Sequence, residues 1–295
     1  MVERVNSNMS LQDYMERDIW APLAISTATF RLDNRPDLKE RLPDMTCRQG
    51  LIHPLFGTTM SPMGNIVRDH NSTAITEPTV TELSSDDDEL SLDNDDFGGC
   101  GVYCSAPDFA KLLSSLCNTS PSTSHYPVLR PSTVNLMFSP QLTSVPAKTQ
   151  LRNLTRIPEV KNVFGALPLY QHPPLDLDWG FGGMLVLDDI WDVSKLEQSM
   201  TMATDRVLSG LGLGNPNEKT SSNEQQQARR TKSRGTMFSG GTTNLYWWVD
   251  RAAGVSGVWA SQLVPVGDPW TVKMIREFEA VVYEQVRVRG GKYGA

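Results

Sequence analysis

The stretch that decides the fold is residues 236–262, which read Thr-Met-Phe-Ser-Gly-Gly-Thr-Thr-Asn-Leu-Tyr-Trp-Trp-Val-Asp-Arg-Ala-Ala-Gly-Val-Ser-Gly-Val-Trp-Ala-Ser-Gln. Its apolar, β-branched and aromatic runs predict three strands, at Thr236 to Phe238, Asn244 to Val249 and Val255 to Gln262. Asp250 to Gly254 supplies the turn between the second and the third strand. The short connections indicate that these strands are antiparallel neighbours in one sheet.

A helix follows the third strand. Asp268 and Pro269 suit the N-cap and the first helical position. The apolar residues that follow at helical spacing predict a buried stripe of Val272, Ile275, Phe278, Val281 and Val282. Antiparallel strands backed by a helix indicate an α+β fold, with an antiparallel sheet flanked by helices.

Upstream of this unit, the pattern alternates between helices and short strands. Ser10 and Asp13 form a capping box that opens an amphipathic helix over Ser10 to Leu23. Ser105 to Asp108 caps a second helix, and a third is predicted at Pro131 to Phe138. Leu177 to Leu187 contains the run Gly180-Phe181-Gly182-Gly183 and ends in a strand. These glycines lack the G-x-G-x-x-G spacing of a nucleotide-binding loop.

Two segments are too polar to predict a packed core. Residues 71–96 are acidic and without apolar periodicity, so we expect an acidic surface loop, with a calcium site as the sharper alternative. Residues 194–234 are rich in Gly, Asn, Gln, Ser and charge, which predicts a flexible insertion. The basic cluster Arg229 to Arg234 within it fits a solvated linker or a nuclear-localisation patch.

Composition narrows the function classes. A net charge of −7 and a pI near 5.2 argue against nucleic-acid binding. The longest apolar runs, such as Asn244 to Val249, are too short to span a membrane, and the first residues do not resemble a secretory signal, so a cytoplasmic location is expected. No histidine or cysteine spacing indicates a metal or another cofactor. We expect the four cysteines to be buried free thiols: Cys47, Cys100, Cys104 and Cys117.

Three stretches together resemble the serine β-lactamase-like superfamily, particularly class C β-lactamases, family VIII esterases and the fungal acyltransferase of the lovastatin pathway. They are Val2 to Phe30, Gly98 to Ala110 and Ser239 to Asp250, in the family's order. The resemblance implies a β-lactamase/transpeptidase-like fold. It also implies that residues 1–295 are a partial domain, corresponding to the downstream two-thirds and lacking the N-terminal part.

The same resemblance implies a substrate-binding strand at Ser239, Gly240, Gly241 and Thr242. Ser239 replaces the first residue of the Lys-Thr-Gly or Trp-Gly-Gly triplet of the family. The backbone amide near Thr242 would supply one oxyanion-hole donor. Three tryptophans are candidates for an acyl pocket, although strand alternation favours core packing for most of them: Trp247, Trp248 and Trp259.

The nucleophile of such an enzyme is absent from this sequence. Family members use a Ser-x-x-Lys pair one helical turn apart, and none of the nine lysines here has a serine three residues before it. There is also no G-x-S-x-G elbow. Tyr103-Cys104-Ser105 imitates the family's tyrosine motif but falls in a downstream element, which indicates a structural tyrosine. We therefore assign no catalytic residue and expect the nucleophile and base upstream of Met1.

The leading hypothesis is an acyl-serine acyltransferase or esterase of fungal secondary metabolism, in truncated form. Its partners would be a small-molecule acyl donor and acceptor, and a protein partner could cover the exposed N-terminal side. The alternatives are a catalytically inactive pseudoenzyme that binds a partner, and a D-peptidase-like hydrolase on the same fold.

Overall fold

The computed structural model describes residues 2–43, 46–48, 66–68, 96, 101–117, 128–155, 176–192, 229–241, 243–264 and 266–288. The main sheet has five strands in the order β3-β4-β7-β8-β9, and every pairing in it is antiparallel. These strands are β3 (Leu177–Trp179), β4 (Met184–Val186), β7 (Met237–Gly241), β8 (Leu245–Asp250) and β9 (Val255–Trp259).

Two smaller sheets complete the described strands. One has the order β10-β1-β2, and the other pairs β5 with β6. Their strands are β1 (Thr46–Arg48), β2 (Ile66–Arg68), β5 (Ile190–Asp192), β6 (Arg229–Lys232) and β10 (Leu263–Val264).

The four helices that the sequence predicts, which start near Ser10, Ser105, Pro131 and Asp268, are present, and three further helices in the described part of the chain were not predicted. Ser10 accepts a hydrogen bond from the amide of Asp13 at 3.1 Å, as the capping box requires, and the helix continues into a π-helical turn that ends at Trp20. The described helices are α1 (Val2–Val5), α2 (Leu11–Met15), α3 (Pro36–Lys39), α4 (Ala106–Cys117), α5 (Pro131–Met137), α6 (Val145–Leu154) and α7 (Pro269–Val288). None of them is both long and apolar enough to cross a membrane.

The core lies between the main sheet and α7. Phe238, Tyr246 and Trp248 are fully buried, and Ile275 and Tyr283 of α7 pack on them. The Trp248 ring stacks 5.6 Å from Tyr246 and 6.4 Å from Tyr283. A Cβ at Gly257, directly across the ladder, would lie 2.2 Å from that ring, so only glycine leaves room for Trp248.

The predicted stripe of α7 is correct except at one position. Val272 and Ile275 are buried, and Phe278 and Val282 pack against the core. Val281 instead is 59% exposed, because residues 278 and 282 already occupy the inward side of that turn.

The opposite face of the sheet is covered by α4. Leu113 and Cys117 of α4 pack on Val249, with Phe109 and Trp247 beside them. Asp108 fixes the N-terminal segment to this helix, because its carboxylate accepts hydrogen bonds from the amides of Ser26 and Thr27 and from the Thr27 hydroxyl. Burial alone would raise the pKa of Asp108. These bonds and the bond from Lys111 outweigh burial and hold that pKa well below its usual range.

Two sequence-based expectations need correction. The segment 194–234 was expected to be a flexible insertion, but its end forms β6 and pairs with β5, and Lys232 is 1% exposed, which is incompatible with a solvated linker there. Residues 194–228 lie outside the described residues. Asp96, the last residue of the expected acidic loop 71–96, is the only part of it described; its side chain is 3% exposed and binds Arg31. Cys104 is exposed, whereas Cys117 is a buried free thiol as expected.

Lys232 is buried because it forms an ion pair inside the core. Its Nζ lies 2.6 Å from Oε2 of Glu279 on α7, and the Tyr246 hydroxyl donates to Oε1 of the same carboxylate at 3.2 Å. Burial raises the pKa of Glu279, and the neighbouring ammonium group opposes that rise. The pair joins β6, β8 and α7 at one point.

We expect Lys232→Met to lower the free energy of unfolding by about 3–5 kcal/mol, because it leaves the Glu279 carboxylate buried without its counter-charge. The double variant Lys232→Met/Glu279→Gln should be more stable than the single variant, since the amide keeps an acceptor for Tyr246 and removes the charge. Urea unfolding of the two variants measures this difference. Additive losses in the double variant would contradict the assignment.

Candidate active site

The strand that the sequence singles out, β7, contains the predicted site residues at its C-terminal end. Its ladder with β4 includes only Met237 and Phe238, whereas its ladder with β8 continues to Gly241. Met237 and Phe238 are fully buried, and Ser239 to Gly241 are only partly buried. Within the described pairings, this end of β7 is therefore held from the β8 side alone. Thr242, the fourth predicted site residue, lies outside the described residues.

Strand alternation divides the candidate residues between two faces. Ser239 pairs with Trp247, and Trp247 pairs with Val258, so these three side chains share the face covered by α4. Gly240 pairs with Tyr246 on the other face, toward α7. The predicted strand thus presents Ser239 beside Trp247, with α4 as the nearest helix.

The three pocket candidates consequently separate. Trp248 is fully buried in the core on the α7 side. Trp259 packs against Phe278 of α7 at 5.9 Å and belongs to the same core. Only Trp247 faces the same side as Ser239, and it meets Phe109 edge-on at 6.4 Å. Trp248 and Trp259 thus pack in the core, and Trp247 stays a pocket candidate.

A glycine turn between β3 and β4 borders this end of β7, and sequence reasoning missed its role. A Cβ at Gly183 would lie 2.8 Å from the Phe238 carbonyl and 3.0 Å from the Trp247 ring. Gly180 donates to the Gly183 carbonyl at 2.8 Å, which closes the turn. The sequence feature that could have indicated this role is the run of three glycines. Such a run is compatible with a close approach of two backbone segments as well as with a phosphate-binding loop.

The same turn is fastened to α5. Phe181 donates its amide to the carbonyl of Met137, the last residue of α5, at 3.0 Å, and a Cβ at Gly180 would lie 2.4 Å from that oxygen. The Phe181 side chain is 51% exposed. The site is thus a half-open strand end with Trp247 and a glycine turn beside it, which suits binding of an acyl chain next to backbone hydrogen-bond groups.

Three described side chains that could serve as a nucleophile or a base make other contacts or are unreactive. Tyr103 is exposed, and its backbone forms a bridge with Thr29. Burial raises the pKa of the Cys117 thiol to about 12, so it stays protonated at neutral pH. Lys232 binds Glu279 on the α7 side. Among the described residues, no group of three or more His, Cys, Asp or Glu side chains could hold a metal ion.

Comparison with known proteins shows which fold this chain resembles. It has an antiparallel sheet flanked by helices, as the sequence predicted, and it shares this fold with simvastatin synthase. A mutant of simvastatin synthase (LovD) from Aspergillus terreus superposes with a TM-score of 0.63 at 27% identity, over 97% of this chain and 53% of that one. No family model matches the sequence.

The particular relatives are fungal acyltransferases. The chain is 24% identical to ML-236A carboxylate methylbutanoyltransferase of Penicillium citrinum over 289 residues, which are 98% of this chain and 51% of that protein. It is 25% identical to monacolin J acid methylbutanoyltransferase of Aspergillus terreus, over 97% of this chain and 51% of that protein. The resemblance to the lovastatin-pathway type of acyltransferase is therefore confirmed. The chain spans about half, rather than two-thirds, of the length of these relatives.

We expect Gly183→Ala to displace the Trp247 ring and to lower the free energy of unfolding by about 1–3 kcal/mol, because the new methyl group would overlap the ring and the Phe238 carbonyl. Two-dimensional NMR of the indole N–H groups should show a shifted Trp247 resonance. Gly241→Ala is the control, since its Cβ would meet only the Leu245 side chain, at 3.3 Å. An unshifted Trp247 resonance in Gly183→Ala would contradict the proposed contact.

Proposed function

We propose that this chain is the substrate-binding part of a serine acyltransferase of fungal secondary metabolism. The observation that carries the proposal is the position of Ser239 to Gly241: a strand end in a partly buried setting, paired on one side and next to Trp247. The relatives' names describe transfer of a methylbutanoyl group. The proposed substrates are accordingly an acyl group on an ester or thioester donor and an alcohol acceptor, with water as acceptor in an esterase.

The proposed chemistry proceeds through an acyl-serine intermediate. A serine hydroxyl attacks the donor carbonyl, and its proton passes to a neighbouring lysine. The carbonyl oxygen becomes an oxyanion, for which a backbone N–H at the end of β7, near Thr242, would be one donor. Collapse releases the donor's thiol or alcohol, and the acceptor hydroxyl then takes the acyl group from the serine.

The nucleophile must come from outside these residues. The 295 residues contain no Ser-x-x-Lys, and one oxyanion donor cannot replace a positioned nucleophile and its base. We propose that a segment with Ser-x-x-Lys, encoded upstream of Met1, completes the site, and that this sequence is a truncated form of a longer protein. Relatives about twice as long support this proposal.

An exposed apolar stripe on α7 offers a surface for that segment. Its members are four and seven residues apart, which places them on one side of the helix. They are Trp270 at 53%, Met274 at 54%, Val281 at 59% and Val288 at 70% exposure. This exposed stripe is distinct from the buried stripe predicted from the sequence, whose residues Val272 and Ile275 pack within the chain. We propose that the upstream segment covers it.

A pseudoenzyme is the second candidate, because the sequence lacks both Ser-x-x-Lys and G-x-S-x-G. In that case, the same strand end would bind an acyl ligand or a partner without turnover.

We expect a fluorophosphonate probe to leave the 295-residue chain unlabelled and to label one serine in a version extended through the upstream reading frame. Intact-mass measurement of both proteins reads out the adduct. The extended protein with the Ser of Ser-x-x-Lys changed to Ala is the matched control and should not react. Stoichiometric labelling of the 295-residue chain, for instance at Ser239, would show that the nucleophile is within it. An extended protein that neither reacts nor turns over acyl thioesters would favour the pseudoenzyme.

We expect the 295-residue chain to self-associate with rising concentration, because the stripe on α7 is uncovered. Met274→Asp/Val281→Asp should suppress this association in the short chain and destabilise the extended protein. Light scattering and thermal melting measure the two effects. Arg287→Gln, on the same helix but about 100° around its axis from the stripe, is the control and should change neither property. An extended protein unaffected by the double substitution would disprove coverage of the stripe.

A further inference from the structure

Asn244 occupies a special position in the hairpin that joins β7 to β8. It directly precedes β8, and its φ of +56° lies in the left-handed region, which few residues other than glycine and asparagine adopt readily. Gly241 pairs with Leu245 at the last step of the ladder. The chain between them is three residues long, and such loops commonly end in a left-handed residue.

The Asn244 side chain is buried, at 4% exposure, and connects three parts of the chain. Its amide group donates to the Leu263 carbonyl of β10 at 2.7 Å. Its amide oxygen accepts from the backbone N–H of Gly267 at 2.7 Å and of Asp268 at 3.1 Å. The hairpin is thereby bonded to β10 and to the residues that start α7.

The start of α7 is itself capped by a buried carboxylate. Asp268 is fully buried, and its carboxylate accepts from the amide of Thr271 at 2.9 Å and from the Thr271 hydroxyl at 2.7 Å. This is an N-cap on a 20-residue helix that packs against the core. Asn244 therefore connects the hairpin to the capped, buried start of α7.

Glycine would satisfy the turn equally well. It adopts positive φ without steric cost and is the usual residue at such a position. An asparagine there gives up that conformational ease and gains the three hydrogen bonds to Leu263, Gly267 and Asp268. The contribution of Asn244 therefore comes from its side-chain hydrogen bonds as well as from its backbone conformation.

We infer that Asn244 is a positioning residue of the acyl-transfer site: it holds the end of β7 in place through the β7–β8 hairpin. This inference rests on the proposed function of Ser239 to Gly241. That strand end lacks described pairing with β4, so its position depends on β8 and on whatever anchors the hairpin. Hydrogen-bond donors for an oxyanion must be fixed before the reaction, and an anchor at this end supplies that fixation.

The test is Asn244→Gly, which keeps the turn conformation and removes the side-chain bonds. In the 295-residue chain, amide hydrogen exchange at Gly241 and Thr243 should quicken roughly 10- to 100-fold. In the extended protein with Ser-x-x-Lys, kcat for acyl transfer should fall about 10- to 100-fold while KM changes little, because a displaced donor weakens the transition state and not substrate binding.

Val272→Ala is the control for general destabilisation. It removes packing from the same helix, at a residue 3% exposed, without touching the hairpin. When Val272→Ala and Asn244→Gly are compared at equal thermal stability, Val272→Ala should leave both the amide hydrogen exchange at Gly241 and kcat near the values of the unsubstituted protein. Unchanged exchange in Asn244→Gly, or unchanged kcat, would overturn the inference. Failure of the proposed function gives a different result: the unsubstituted extended protein would form no acyl-serine at all.

Discussion

The buried ion pair between Lys232 and Glu279 is the contact on which the arrangement of this molecule depends. Two charges removed from water stay together only when their geometry is satisfied, and here the Tyr246 hydroxyl completes the carboxylate's bonds. A second buried carboxylate, Asp250, accepts from the amide of Ser233 at 2.9 Å and from the Tyr283 hydroxyl at 3.0 Å. Glu279 of α7 thus contacts β6 and β8, and Asp250 of β8 contacts the residue after β6 and α7. Polar contacts as well as packing therefore fix how β6, β8 and α7 lie against one another.

That arrangement gives the sheet two different faces. The α7 face is filled by Tyr246, Trp248 and the helix, and it serves stability. The α4 face presents Ser239 and Trp247 at a strand end that β4 does not reach. Because the two faces are separate, the packed α7 face can support the partly buried end of β7 on the other face. Pre-organised backbone donors next to an apolar side chain such as Trp247 require such support.

The relation to fungal acyltransferases explains why a site can be recognised in a chain that spans about half of their length. The proposed substrate-binding groups on β7 and β8 come from a continuous stretch of sequence, and Trp247 of β8 packs beside α4. A nucleophile and its base are a separate requirement of acyl transfer, and no Ser-x-x-Lys supplies them within these residues. The proposed upstream segment would supply the nucleophile and its base, and the exposed stripe on α7 is the surface on which we propose that it packs.

The sequence by itself determined the strands of 236–262, four of the helices and the fold class. Strand alternation in 236–262, the capping box at Ser10 and the Asp268-Pro269 start of α7 are local signals, because propensity, capping and turn chemistry act between near neighbours. Contacts between residues far apart in the sequence became known only from the tertiary structure. It paired Lys232 with a carboxylate 47 residues away, buried Asp96 beside Arg31, and placed the Gly183 turn against Trp247. From sequence alone, a charged or glycine-rich segment is predicted to be exposed to solvent, because its partner in the fold is unknown. That partner depends on packing between distant parts of the chain, and local sequence patterns do not contain this information.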